Sequence, residues 1–212
     1  VHQGRLDSRG LFELISASGA RLLVDASHPY AGEVSLNAKD AAGKAGMPYL
    51  RFERERTEID EENIVEADSF EEAADRAAGI AGNIFLAVGS KSIRIFTERV
   101  PGFKERLFAR VLPLSGVLES CEKAGLTASN IIAMKGPFTE EMNIAMLKHC
   151  SASVMVTKDG GRTGGTAEKI SACGRLGIPV VLVKRPEIEY GGRLDTIEEG
   201  VERVCLYLRG EC

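Results

Sequence analysis

The chain has no tryptophan, and aromatic residues make up only 6% of its 212 residues. Proteins that bind single-stranded nucleic acid stack the bases on aromatic side chains, and proteins that bind bulk polyanions are usually basic. Here 27 Lys and Arg stand against 31 Asp and Glu, a net charge of −4. The composition therefore argues against a nucleic-acid partner, although a local basic pocket for an anionic small molecule can still form.

Long apolar runs are lacking too. None approaches the ~18 residues of a membrane span, and no signal peptide is recognisable. The five cysteines are an odd number without a C-x-x-C motif, which is typical of reduced thiols in a cytosolic protein and not of a disulfide framework or zinc site. We expect a cytoplasmic protein without a membrane partner, and the scattered His2, His28 and His149 predict no metal site.

Short apolar runs alternate with helix-patterned stretches along the whole chain. The runs are continuously apolar, as in strands buried on both faces of a parallel sheet; they cover residues 21–26, 47–52, 83–88, 106–112, 130–134, 153–157 and 178–183, with a short strand at 64–67. The alternation predicts an α/β fold with parallel sheets. We expect two Rossmann-like lobes, 1–81 and 82–212, with a cleft between them. Because the chain opens like the tail of a strand, we also expect that an N-terminal strand is missing from this numbering.

Basic side chains collect directly after the predicted strands. In open parallel sheets, ligands bind at the carboxyl ends of the strands, and there the sequence has Lys91, Lys135, Lys158, Arg162, Lys184 and Arg185. A single lysine in such a position usually faces solvent, but six together weaken that explanation. Their convergence would suit a ligand that carries several carboxylates or phosphates.

His28 follows a predicted buried strand, in the segment DASHPYA (residues 25–31). Pro29 fixes its own φ and restricts the backbone of His28. The imidazole either faces a ligand or is satisfied by the backbone of the turn, and the sequence leaves both possibilities open. Asp25 is better suited to ordering this loop than to catalysis.

The segment TKDGGRTGG (residues 157–165) has four glycines in nine residues and precedes a predicted helix. Free backbone amides at a helix N-terminus can bind an anion. The segment is not a P-loop, and no G-x-G-x-x-G fingerprint occurs in the chain. Asp159, within this cationic loop, could donate or accept a proton. The absence of a G-x-S-x-G motif leaves nucleophilic hydrolysis without support.

Taken together and in order, these motifs resemble the precorrin-6A reductase family, including its cobalt-precorrin form, from about Leu11 to Pro186. They are DASHPYA, SLNA, GMPYLRFER, VGSK, KGPF, VTKDGGRTGG and LGIPVVLVKRP. The resemblance implies two α/β lobes and the reduction of one ring double bond of precorrin-6A or cobalt-precorrin-6A in corrin biosynthesis. It implies NADPH as the cofactor, which carries the chemistry, and a corrinoid precursor with many carboxylates as the substrate.

The resemblance also implies roles for individual residues. The nicotinamide end of the cofactor would be contacted by Ala26, Ser27, His28 and Tyr30. The macrocycle would face Lys91, Lys135 and Arg162. No catalytic acid carries over from the family, so Lys158 and Asp159 are candidate catalytic residues on chemical grounds.

The chain departs from the family pattern in several places. Ser27, Val88 and Gly160 stand where the family has Thr, Thr and Ser, and nothing matches the Gly-rich G-G-T-x-E turn with which the family opens. Two other functions therefore stay open. One is a tetrapyrrole synthase or lyase of the uroporphyrinogen-III type, and the other is a non-enzymatic α/β ligand-binding paralogue without the cofactor loop.

Overall fold

The computed structural model describes residues 2–53, 63–161 and 164–209. The strands of this part of the chain are β1 (Leu23–Asp25), β2 (Tyr49–Phe52), β3 (Ile64–Ala67), β4 (Asn83–Ala87), β5 (Leu107–Val111), β6 (Ile131–Ala133), β7 (Ala152–Lys158), β8 (Val180–Val183) and β9 (Arg193–Leu194). The α-helices are α1 (Ser8–Ser18), α2 (Gly32–Lys44), α3 (Phe70–Ala78), α4 (Ile93–Arg99), α5 (Phe103–Arg106), α6 (Ser115–Lys123), α7 (Glu140–His149), α8 (Thr166–Leu176) and α9 (Ile197–Arg209). Every apolar run picked out in the sequence contains a strand.

The chain divides into two compact units, one of Val1–Glu55 with Pro186–Cys212 and the other of Arg56–Arg185. This division differs from the predicted boundary between residues 81 and 82. The strand β3 pairs with β8 from Ile64↔Val180 to Ala67↔Val183, so the segment before residue 81 belongs to the sheet of the second unit. The end of the chain returns to the first unit, because β9 pairs with β2. A strand pattern does not reveal which sheet a strand joins.

The first unit, Val1–Glu55 with Pro186–Cys212, contains a three-stranded sheet in the order β1-β2-β9. Both of its ladders are parallel. The helix α2 buries small side chains, Ala38, Ala41 and Ala42, and the strands contribute the buried Leu50 and Leu194. The DASHPYA segment follows the carboxyl end of β1.

The second unit, Arg56–Arg185, contains a six-stranded sheet in the order β3-β8-β7-β4-β5-β6. All five of its ladders are parallel. Because the strands run in the same direction, the segments that follow β4, β5, β6, β7 and β8 all start at one edge of the sheet. This arrangement brings the strand-end lysines of the second unit to the same side.

Helices of the second unit begin and end at residues that are typical helix caps. The Ser69 hydroxyl accepts a hydrogen bond from the Glu72 amide at 3.1 Å and caps α3. Gly177 ends α8 in the left-handed conformation, with a φ of 63°. The core beneath the helices contains Phe85 and Met155, both fully buried. In this unit, the helix caps visible in the sequence and the burial of the apolar residues therefore indicate the same elements.

Gly82 lies directly before β4 at a point where only glycine fits. Its φ is +97°, and a Cβ atom there would come within 2.1 Å of the Ser153 Oγ. We expect Gly82→Ala to lower the free energy of unfolding by about 1–3 kcal/mol, because both the backbone conformation and the contact are unfavourable. Urea unfolding measures this change. Gly116→Ala in α6 is the control, since no atom lies within 4 Å of its added Cβ; an equal loss in both variants would contradict the explanation.

The predicted α/β class with parallel sheets is confirmed by these two sheets. Among residues 2–53, 63–161 and 164–209, no helix has the length and apolar character needed to cross a bilayer.

Candidate active site

A cavity of about 770 Å³ lies at the carboxyl edge of the six-stranded sheet. Residues that follow β4, β5 and β6 line it together with the start of α8; they include Ser90, Leu112, Met134, Phe138 and Gly165. Its volume is in the range of cavities that bind small molecules and cofactors. The cavity thus occupies the position where open parallel sheets bind their ligands.

Arg110 reaches this cavity from inside β5 and is only 7% exposed. Its Nη1 donates to the Asn143 Oδ1 at 2.7 Å. The guanidinium lies over the Phe138 ring, 4.0 Å from its centroid, and 5.5 Å from the centroid of Phe85. Burial lowers the pKa of Arg110 to about 10, so the side chain still carries its charge at neutral pH.

Lys169, in the first turns of α8, lines the same cavity and is 8% exposed. Its Nζ donates to the Gly164 carbonyl at 2.6 Å. Burial, followed by the positive charges of Arg110 and Lys158, lowers its pKa to about 8. Arg110 and Lys169 line the same cavity, and Lys158 ends the strand from which the loop to α8 starts, so these three cations lie at the same end of the sheet.

Lys158 is the last residue of β7 and is partly buried. Burial first, and then the positive charge of Lys91, lowers its pKa below the ordinary value for lysine. The structure therefore brings Lys91 and Lys158 together, as the sequence predicted. Lys135 is exposed and lies between two residues that line the cavity, Met134 and Gly136.

Asp159 is buried in the loop between β7 and α8. Its Oδ2 forms an ion pair with the Arg185 Nε at 2.9 Å, and its Oδ1 accepts from the Gly161 amide at 3.0 Å. The hydroxyl of Thr166 accepts from the Gly160 amide at 3.0 Å. These contacts hold the start of the glycine-rich loop against the sheet. Arg162, the predicted substrate-binding residue of this loop, lies outside the described residues.

In the first unit, a polar network lies beneath the DASHPYA segment. Arg51 is completely buried, and its Nη1 forms an ion pair with the Asp25 Oδ1 at 2.9 Å and donates to the Ser27 Oγ at 2.9 Å. Asp25 also accepts from the Ser27 amide and from the Tyr49 hydroxyl. Burial acts to raise the pKa of Asp25, but hydrogen bonds from Ser35, Ser27 and Tyr49 outweigh it and lower the pKa to about 2. Asp25 thus orders the loop.

The four predicted cofactor-binding residues lie together in this turn. Ala26 is exposed, whereas Ser27, His28 and Tyr30 are partly exposed. The His28 Nδ1 accepts a hydrogen bond from the Tyr30 amide at 3.2 Å, and the two rings are 5.8 Å apart. One ring nitrogen of His28 therefore serves the turn itself. Contact of these side chains with a cofactor stays a prediction.

Three further polar residues of the two units, Arg51, Arg110 and Lys169, are not among the residues predicted from the sequence to be functional. A signal existed for each of them. Arg51 and Arg110 interrupt apolar runs that form buried strands, and Lys169 lies on the buried stripe of α8 between Thr166 and Cys173. A charged residue in such a position is rarely buried without a partner. In the described residues, no group of three or more His, Cys, Asp or Glu side chains could hold a metal ion.

The sequence matches a known protein family along almost its whole length. The family described as Precorrin-6x reductase CbiJ/CobK matches residues 1–205. The chain belongs to this family. The family resemblance seen in the sequence is thereby confirmed, and the protein is an oxidoreductase.

Relatives in other organisms extend this result. The chain is 41% identical over 202 residues to a cobalt-precorrin-6A reductase of Priestia megaterium, covering 95% of this chain and 79% of the relative. It is 38% identical over 209 residues to the cobalt-precorrin-6A reductase of Methanothermobacter thermautotrophicus, covering 97% of this chain and 68% of that protein. The solved structure of CobK precorrin-6A reductase superposes with a TM-score of 0.79 at 23% identity, covering 96% of this chain and 78% of that one. The family is thus shown by sequence and its fold by structure.

Proposed function

We propose that the protein catalyses the NADPH-dependent reduction of one ring double bond in cobalt-precorrin-6A, in the formation of corrins. The observation that carries this proposal is the cationic cavity at the carboxyl edge of the six-stranded sheet, in a member of the precorrin-6x reductase family. A corrinoid precursor carries many carboxylates, and buried cations bind carboxylates strongly. Relatives at 41% and 38% identity bear the cobalt form of the name, which favours the cobalt-containing substrate. The cytoplasmic location expected from the cysteines belongs to the same proposal.

In this proposal, the turn that follows β1 would contact the nicotinamide end of the cofactor. Ala26, Ser27, His28 and Tyr30 offer hydroxyl, imidazole and backbone groups on a surface that is only partly buried. The buried Asp25–Arg51 pair holds this turn in place. NADPH would supply the hydride for the reduction. The protein's own contribution is to hold the turn rigid, orient the two ligands and exclude water.

We assign the proton that must accompany the hydride to Lys158. Reduction of a carbon–carbon double bond adds a hydride to one carbon and a proton to its neighbour. Burial and Lys91 lower the pKa of Lys158, which makes its ammonium a better proton donor near neutral pH. The carboxylate of Asp159 is paired with Arg185, so its part in this account is to position the loop. Lys91 and Lys135 would bind carboxylates of the macrocycle.

An anaerobic assay with cobalt-precorrin-6A tests the proposal. We expect NADPH to be consumed in a one-to-one ratio with the macrocycle, with NADH as the cofactor control. A synthase or lyase would convert a tetrapyrrole without any nicotinamide, and a binding protein would hold the macrocycle without converting it. Either of these two outcomes would contradict the proposed reduction.

A further inference from the structure

Two cations of the cavity are more than nine-tenths buried, which is unusual for arginine and lysine. Arg110 is 7% exposed and Lys169 is 8% exposed, and they reach the same cavity from β5 and from α8. The positive charge of Arg110 acts on Lys169. Two like charges are therefore held close together in a poorly solvated place.

No carboxylate forms an ion pair with either cation within the part of the chain that the structure describes, so their charges are compensated only in part. Neither Arg110 nor Lys169 forms an ion pair there, although Glu168 lines the cavity and Asp159 lies near enough to act on Lys169. Arg110 uses Nη1 for Asn143 and Met146, and Lys169 donates to a backbone carbonyl. Burying a charge without an opposite charge is costly. Such an arrangement persists where it serves a ligand.

The surroundings of the two cations suit an oxyanion. The described residues accept no hydrogen bond from Arg110 Nε or Nη2, which leaves these donors for a ligand in the cavity. Gly164 and Gly165, at the N-terminal end of the eleven-residue helix α8, line the same cavity. The positive end of the helix dipole favours a negative group at this position.

We propose that Arg110, Lys169 and the N-terminal end of α8 form an oxyanion-binding subsite that holds one carboxylate or phosphate group of the ligand in the cavity. The inference deepens the proposed function and depends on it for the identity of the ligand. The group is either a carboxylate of the macrocycle or a phosphate of the cofactor. Both present charged oxygens that accept hydrogen bonds from a guanidinium and an ammonium.

Binding of two probes to the full chain tests the proposal. Uroporphyrin I represents a macrocycle with many carboxylates, and 2′,5′-ADP represents the phosphates of the cofactor. We expect Lys169→Met to raise the Kd of at least one probe by about tenfold or more, with a smaller effect for Lys169→Arg, which keeps the charge. Loss of uroporphyrin binding alone identifies a substrate carboxylate, and loss of 2′,5′-ADP binding alone identifies a cofactor phosphate. Unchanged Kd values for both probes would overturn the subsite.

The control is Lys104→Met, because Lys104 is an exposed lysine of the same unit that lies in α5, directly before the amino end of β5 and away from the carboxyl edge of the sheet. Urea unfolding without a ligand provides a second measurement. Removal of a buried charge that is compensated only in part is expected to raise the urea midpoint of Lys169→Met, whereas a purely structural lysine would give a lower midpoint and unchanged probe binding. If Lys169→Met does not fold, the pH dependence of probe affinity in the wild-type protein tests the subsite instead.

Affinity of the wild-type protein for the responsive probe is expected to fall as pH rises through about 8, where Lys169 loses its proton. The charged groups around Lys169 are Arg110 from β5, Lys158 from β7, Asp159 from the loop between β7 and α8, and Glu168 from α8. Constant affinity between about pH 7 and pH 9 for both probes would contradict the proposal. If the reductase assay failed while Lys169→Met still raised the Kd of a probe, the proposed function would be wrong but the oxyanion subsite would be supported.

Discussion

Replacement of Lys158 with methionine is expected to lower kcat for the reduction by about 100-fold or more, because a positioned general acid contributes on the order of 10²–10⁴ in rate. Methionine keeps the approximate length of the side chain but removes its proton. Stopped-flow measurement of NADPH oxidation with saturating cobalt-precorrin-6A gives kcat directly. Lys104→Met is the control, since Lys104 is exposed and lies in α5, directly before the amino end of β5 and away from the carboxyl edge of the sheet. A loss of kcat below threefold in Lys158→Met would contradict the assignment.

Lys91 provides an independent check on the same assignment. Its positive charge contributes to the lowered pKa of Lys158, so Lys91→Met is expected to raise that pKa. Activity requires the protonated ammonium and falls as pH rises through the pKa of Lys158. The alkaline limb of the kcat–pH profile should therefore move to higher pH in Lys91→Met. If Lys91 only contacted the substrate, Lys91→Met would raise KM and leave the alkaline limb at the same pH.

The second large effect concerns stability. Asp25→Asn removes the nearer of the two carboxylates that pair with the completely buried Arg51; the other is Glu53, whose Oε1 lies 3.6 Å from Arg51 Nη2. Loss of one partner from a buried ion pair costs about 3–5 kcal/mol, and we expect a loss toward the lower end of this range because Glu53 still compensates part of the Arg51 charge. Urea unfolding followed by circular dichroism measures the loss. Asp40→Asn, which breaks an exposed pair with Lys44, is expected to change the free energy of unfolding little.

The double variant Asp25→Asn with Arg51→Met isolates the cause. Removal of both charges takes away the buried cation that Glu53 alone compensates only in part, so the second substitution should recover part of the loss. A further loss on adding Arg51→Met would show that Arg51 stabilises the unit through contacts other than Asp25. Its position 5.1 Å from the centroid of the Tyr190 ring is one such contact.

The pH dependence of stability follows from the same pair. The pKa of Asp25 is about 2 in the folded protein, below the ordinary value of about 4 for an aspartate in an unfolded chain. Because the folded-state pKa is depressed, its contribution to stability is fully present above about pH 4 and is lost as pH falls toward 2. Asp25→Asn should therefore flatten the stability profile between these two pH values.

Local patterns were sufficient to predict most strands and the residues that follow them. The runs around Phe85, Met155 and Val181 are continuously apolar, and each forms a buried strand. Lys91 and Lys158 were predicted to approach each other because both follow strands of a parallel sheet, and the lowered pKa of Lys158 reflects that approach. Sequence periodicity records the burial of an element, and strand direction then fixes the edge on which its end lies.

Long-range pairings could not be predicted in this way. The two-residue strand Arg193–Leu194 is too short to give a pattern, and it pairs with Phe52 from the other end of the chain. Lys169 and Arg110 were overlooked because one belongs to a helix and the other to an apolar run, 59 positions apart in the sequence. Their meeting at one cavity depends on strand order, which a single sequence does not record. For the same reason, the boundary predicted between residues 81 and 82 differs from the division found in the structure.

The most direct test of the account is a crystal structure of the protein with cobalt-precorrin-6A. We predict that the macrocycle occupies the cavity at the ends of β4, β5 and β6, with Lys91 and Lys158 facing the ring and its carboxylates. A macrocycle bound on another surface, with those ammonium groups directed away from it, would contradict the account.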